Sequence, residues 1–129
     1  LAVSPAFDVG IDIEERRPLE EDIAERFFSP REAGTLRRMS GERALRAFYR
    51  CWTSKEAFVK AHGAGLSLPL DSFEVRVDPD RPPALLKLGG DCRAARQWSL
   101  LALDLPDGLS GTVAALTVGN RLTLRYREI

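Results

Sequence analysis

The sequence is poor in the residues that build thiol and transition-metal chemistry. It has two cysteines, Cys51 and Cys92, far apart and without metal-type spacing, and one histidine, His62. A disulfide framework or zinc site is disfavoured, no histidine metal cluster can be built, and a reduced, cytoplasmic setting is expected. An excess of one charge is missing too. Nineteen basic and nineteen acidic residues cancel, so composition implies no general attraction to nucleic acid or anionic membrane, although it leaves room for a local basic patch. Long apolar runs are absent: stretches such as Leu100–Leu103 fall far short of the roughly 20 residues that span a bilayer. Without a Walker-type glycine cradle a nucleotide triphosphatase is disfavoured, and without a Gly-x-Ser-x-Gly elbow a serine hydrolase has little support. The chain opens on Leu1-Ala2-Val3 with no initiator methionine and no signal-peptide pattern. It starts within what reads as a strand and is expected to be a piece of something longer.

What is present is one domain's worth of ordinary globular sequence, 129 residues with 44% hydrophobic and 29% charged. That is enough for a single core and too little for two. The pattern predicts a hairpin first, Leu1–Val3 and Phe7–Ile13 around Ser4-Pro5. In its second strand Val9, Ile11 and Ile13 alternate with Gly10, Asp12 and Glu14, giving an apolar face and a face with two acids. A short helix follows over Glu20–Phe28. Ser29-Pro30-Arg31-Glu32 then reads as a helix start, with Ser29 as N-cap, Pro30 in the first helical position and Glu32 completing a capping box. After Gly41 a long helix is expected to about His62, stopped by Gly63. Strands are predicted at Phe73–Val77, Ala84–Leu88, Trp98–Leu105, Thr112–Val118 and Leu122–Tyr126, with a strong turn at Asp78–Pro83. Strand, helices, then antiparallel strands make an α+β fold, a sheet packed against a long helix and shorter ones.

Three acids stand out. Asp12 and Glu14, two apart on a strand, point to the same face about 7 Å apart, where they repel each other unless a cation intervenes. A solvated strand face would account for the pair as well. Trp52, Glu56 and Lys60 recur every four residues and share one side of the long helix. Glu56, beside Trp52, should be partly shielded and therefore costly unless paired or metal-bound. An intrahelical Glu56–Lys60 pair is the plain alternative. Together the acids suit magnesium, a hard ion that takes carboxylate and phosphate oxygens, and Lys60 and Lys55 suit phosphate as point charges. Such a set serves attack on a pyrophosphate. His62 suits a helix C-terminus. Arg37, Arg38, Arg43, Arg46 and Arg50 form a basic run, either a solvated face or a dock for an acidic partner.

These residues resemble a known family. Val9-Gly10-Ile11-Asp12-Ile13-Glu14, Arg26-Phe27-Phe28-Ser29 with Glu32, Trp52-Thr53-Ser54-Lys55-Glu56-Ala57-Phe58-Val59-Lys60-Ala61, and Gly63-x-Gly65-Leu66 running on to Phe73 are similar to the 4′-phosphopantetheinyl transferases of the Sfp type. The resemblance spans Val9 to about Val77 and continues as strand pattern alone. It implies that Asp12, Glu14 and Glu56 bind magnesium against the pyrophosphate of coenzyme A. Lys60, with Lys55 as a weaker candidate, would contact the phosphates, Trp52 would form a wall, and Glu32 would be an acid near the site, with Glu56, Lys60 and Glu32 the catalytic candidates. The implied reaction transfers phosphopantetheine to a serine of an apo acyl or peptidyl carrier protein, releasing 3′,5′-ADP. Sfp-type enzymes have two similar halves with coenzyme A between them, and the residues here match the C-terminal half. Three possibilities follow: a catalytic half that needs its missing N-terminal half, a self-sufficient transferase whose two copies form the cleft, or a non-catalytic half-domain that binds carrier protein or a partner chain.

Overall fold

The computed structural model describes residues 8–63 and 68–126. The elements run β1 (Val9–Glu15), α1 (Ile23–Phe27), α2 (Pro30–Arg37), α3 (Gly41–His62), a 3-10 turn at Leu70–Ser72, β2 (Phe73–Val75), β3 (Leu85–Leu88), α4 (Cys92–Arg96), β4 (Trp98–Ala102) and β5 (Leu109–Leu116). Strands β1, β5 and β4 form an antiparallel sheet in the order β1-β5-β4, and β2 pairs antiparallel with β3. This is the expected α+β architecture. Among the described residues no helix is long and apolar enough to cross a membrane.

Local chemistry explains the helix ends. Ser29 Oγ accepts from the Glu32 amide while Glu32 Oε1 accepts from the Ser29 amide, so the capping box is complete and Pro30 sits in the first turn. Helix α3 stops at Gly63, whose φ of 78° places it in the left-handed region that glycine adopts without a Cβ penalty. The core fills the space between α3 and the sheets with Phe28, Phe48, Phe58, Phe73, Val75 and Leu100.

Three expectations are corrected. The extended alternation at Leu122–Tyr126 does not join a sheet; the segment is tied at its end by the Tyr126 hydroxyl, which accepts from the Asp104 amide. Strand β5 begins at Leu109, earlier than the periodicity suggested, because Ser110 and Gly111 continue the ladder to Glu14 and Ile13. Helix α4 was not foreseen. Asp91, which accepts from the amides of Arg93 and Ala94, is the N-cap that signals it. The opening strand Leu1–Val3, its turn and the Ala64–Ser67 part of the motif lie outside the described residues.

The element that matters most for the site is the seam between β1 and α3. A Cβ on Gly10 would lie 2.0 Å from the Ala57 carbonyl oxygen and 2.5 Å from the Ala61 amide nitrogen, so only glycine allows this approach. The face of β1 that carries Gly10, Asp12 and Glu14 therefore turns toward the helix. Asp12 is buried at 7% exposure, while Ile13 on the opposite face is 48% exposed. The solvated-face alternative fails for Asp12. Across the sheet, Thr112 pairs with Asp12 in register, and its hydroxyl meets the Thr53 hydroxyl at 2.9 Å, seating α3 on β5.

Candidate active site

Once β1 lies against α3, two local periodicities become one corner. Period two on the strand sets Asp12 and Glu14 side by side, and the four-residue spacing on α3 sets Trp52, Glu56 and Lys60 in a line. Lys60 Nζ lies 3.0 Å from Asp12 Oδ1 and donates to the Ile11 carbonyl at 3.0 Å. Lys60 thus reaches across to the strand; among the described residues it pairs with Asp12 and not with Glu56. The other carboxylate oxygen, Asp12 Oδ2, is buried with no hydrogen-bond partner. A buried carboxylate oxygen left unpaired is costly and marks a place where a cation or donor belongs.

The neighbouring acids feel the same congestion. Burial is the largest cause that raises the Glu14 pKa, followed by the charge of Asp12, while the charge of Lys60 pulls it back down. Glu56 is raised by burial and then by Asp12, against Lys60. Both glutamates feel the charge of Asp12: Glu14 shares its face of β1, and Glu56 lies one turn before Lys60, which reaches Asp12. Even so, no group of three or more His, Cys, Asp or Glu among the described residues closes into a ready metal cage. Asp12 uses one oxygen on Lys60, and the acids stand near one another without converging.

The sign of these shifts gives a prediction. A glutamate whose folded pKa is raised holds its proton more firmly folded than unfolded. Stability from this source is present below the ordinary glutamate pKa and is lost as pH rises through the raised folded value. In metal-free buffer at neutral pH, Glu56→Gln should therefore raise the melting temperature, and the gain should vanish in mild acid. A thermal melt across pH in the presence of EDTA measures it; a loss of stability at neutral pH would contradict the congestion.

Trp52 is half-buried, stacked 6.1 Å from Phe48 and edge-on to Phe27 at 5.8 Å. It stands one turn before Glu56 on α3. Lys55 and Glu32 do not belong to the corner. Lys55 is fully buried, donates to the carbonyls of Leu70 and Phe73, and lies 2.8 Å from Glu32 Oε1. Its ammonium also sits 4.3 Å from the Phe73 ring centroid. Glu32, 2% exposed, caps Ser29 and accepts from the Val75 amide at 2.8 Å. Their expected roles, phosphate contact and catalysis, are corrected to a structural one: all three donors of Lys55 have acceptors, and the pair ties α2, α3 and β2 together.

Other candidates resolve similarly. His62 packs against Phe58 and Trp98 at the end of α3. Of the basic run, Arg43 pairs with Asp78 and Asp80, Arg46 with Asp80, Arg37 with Glu25, and Arg50 donates to the Arg81 carbonyl. Those four arginines brace the chain's own turns and helices. Cys51 is buried, and burial pushes its thiol pKa well up; Cys92 is exposed, and both are free. What the sequence reading missed is Gly10 and the Thr53–Thr112 contact. The small residues Gly10, Ala57 and Ala61 facing one another were the available signal.

Comparison with known proteins places this geometry. A family model described as the 4′-phosphopantetheinyl transferase superfamily matches residues 8–116. The 4′-phosphopantetheinyl transferase Sfp of Bacillus subtilis is 47% identical over 78 residues, 58% of this chain and 35% of that protein. The 4′-phosphopantetheinyl transferase HetI of Nostoc sp. is 38% identical over 120 residues, 92% of this chain and 47% of that protein. Among solved structures, the holo-[acyl-carrier-protein] synthase of Thermotoga maritima matches with a TM-score of 0.64 at 21% identity, over 87% of this chain and 64% of that one. A Chronobacterium ammoniagenes ACPS–CoA complex matches at 0.59 and 22% identity, over 89% of this chain and 99% of that one. At such identities the structural likeness concerns the fold. The chain spans about a third to a half of the curated relatives it matches. With the family model covering most of the chain, acid corner included, the chain belongs to the 4′-phosphopantetheinyl transferase superfamily.

Proposed function

We propose that this chain carries the catalytic corner of a transferase that moves 4′-phosphopantetheine from coenzyme A to a serine of an acyl or peptidyl carrier protein. The observation that carries the reading is the buried Asp12, with Oδ1 on Lys60 and Oδ2 unpartnered, whose charge both Glu14 and Glu56 feel, in a chain of this superfamily. In the reaction the serine hydroxyl gives up its proton to solvent as its oxygen forms a bond to the β-phosphorus, the bond to the bridging pyrophosphate oxygen breaks, and 3′,5′-ADP leaves carrying that electron pair.

The residues fit a magnesium ion. The donors are hard carboxylate oxygens, one of them lacks a partner, and the acids repel one another. Asp12, Glu14 and Glu56 would hold the ion, which when bound supplies positive charge to the pyrophosphate and its leaving oxygen. Lys60 uses two of its three donors on β1 and keeps the third for a phosphate oxygen. Trp52, one turn before Glu56 on the same side of α3, would shield the corner. Coenzyme A needs a second wall, and we assign it to the N-terminal half of an Sfp-type enzyme or to a second copy of this chain, in keeping with the third to a half of its relatives that the chain spans.

Transfer is measured as the mass gained by an apo carrier protein incubated with coenzyme A, magnesium and the chain, alone and with an Sfp-type N-terminal half. Glu56→Ala is expected to lower transfer by roughly 100-fold or more, as losing a charge-organising group does, while circular dichroism stays unchanged. Transfer at the unaltered rate would remove the acid-corner assignment. Carrier binding without transfer in every combination would favour the non-catalytic half-domain.

A further inference from the structure

The pairing of Lys60 has a meaning beyond phosphate contact. Its side chain is about half exposed, long and flexible, and Glu56 lies one turn away on the same helix face. Yet its ammonium lies across the seam on Asp12 Oδ1 and the Ile11 carbonyl. The acceptor it takes is one oxygen of Asp12, the one acid of the three that is buried, and the oxygen it leaves, Asp12 Oδ2, is the orphan. An ammonium at this place does two things. It orients the Asp12 carboxylate, and it places one positive charge where three carboxylates would otherwise repel without compensation.

We infer that Lys60 is a positioning residue that doubles as an internal counter-cation: it keeps the acid corner folded without metal and weakens the corner's hold on a divalent cation. This rests on the metal-binding reading of Asp12, Glu14 and Glu56. With Oδ1 of Asp12 on Lys60, only Oδ2 is left open to a cation. Without the lysine, the uncompensated acids attract a divalent cation more strongly and tolerate its absence less well.

The test is a titration of the chain with Mn2+ alone, read from the electron paramagnetic resonance of the free ion, beside thermal melts in EDTA. Lys60→Gln keeps a donor for Ile11 but removes the charge; Lys60→Met removes both; Lys60→Arg keeps the charge. The uncharged variants are expected to bind Mn2+ about tenfold more tightly than the parent, given a unit charge near the site. They should melt lower in EDTA and be rescued by Mn2+, with Lys60→Arg close to the parent. Unchanged or weaker binding in the uncharged variants, with Asp12→Asn abolishing binding, overturns the role of Lys60 and leaves the metal site standing. Parent binding that Asp12→Asn does not alter, or no binding at all, overturns the metal reading itself. Uncharged variants that fail to fold and are not rescued by Mn2+ also count against the inference.

Discussion

Lys55→Met is expected to cost the fold about 3–5 kcal/mol, the loss typical of removing one partner from a buried ion pair. The replacement leaves Glu32 charged and buried, and it strips the Leu70 and Phe73 carbonyls of their donor. Lys55 is fully enclosed, its ammonium beside the Phe28 and Phe73 rings, so the stranded groups stay out of water. A fall in melting temperature of roughly 10 °C or more should accompany it. Glu32→Gln should be milder, since an amide oxygen can still accept from Ser29 or Val75. The double variant should lose less than the sum of the two, since the second change removes a group already left unpaired. Chemical denaturation of the four proteins gives the coupling directly. A stable Lys55→Met that loses only transfer would return Lys55 to the active site.

Gly10→Ala is the second large effect. The added methyl would stand 2.0 Å from the Ala57 carbonyl oxygen and 2.5 Å from the Ala61 amide nitrogen, both backbone atoms of α3. Backbone cannot rotate aside as a side-chain end can, so β1 and α3 must separate. The cost should reach or pass the upper end of the about 1–3 kcal/mol that overpacking brings. Separation also lengthens the reach from Lys60 to Asp12, so transfer should fall even where the protein remains folded. Gly34→Ala is the control: its new methyl would meet nothing closer than an Arg37 nitrogen at 3.6 Å. Within α2 it should be neutral or stabilise by up to about 1 kcal/mol. Thermal melts of both variants, with transfer measured below the lower transition, check the pair. Equal effects would show that the seam at Gly10 is not tight.

Several features were legible without coordinates because their causes lie within a few residues. The capping box at Ser29 and Glu32 needs only the spacing of a serine, a proline and a glutamate. Helix α3 and its stop at Gly63 follow from apolar periodicity and a residue free to take positive φ. Leu122–Tyr126 misled, because alternation shows what a strand could bury and not whether a neighbouring strand lies at hand to pair with it.

Lys55 and Glu56 show where sequence stops. Adjacent on one helix, they point about 100° apart. By itself the chain determined an α+β order, a strand face bearing Asp12 and Glu14, and a helix side bearing Trp52, Glu56 and Lys60. Periodicity is local, so all of that can be counted along the chain. Only the tertiary structure decided that α3 turns Glu56 and Lys60 to β1 and Lys55 to Glu32 and β2. That choice depends on which side of α3 can approach the strand. Gly10 against Ala57 and Ala61 permits contact there, and the buried Lys55 must find its acceptors on the other side.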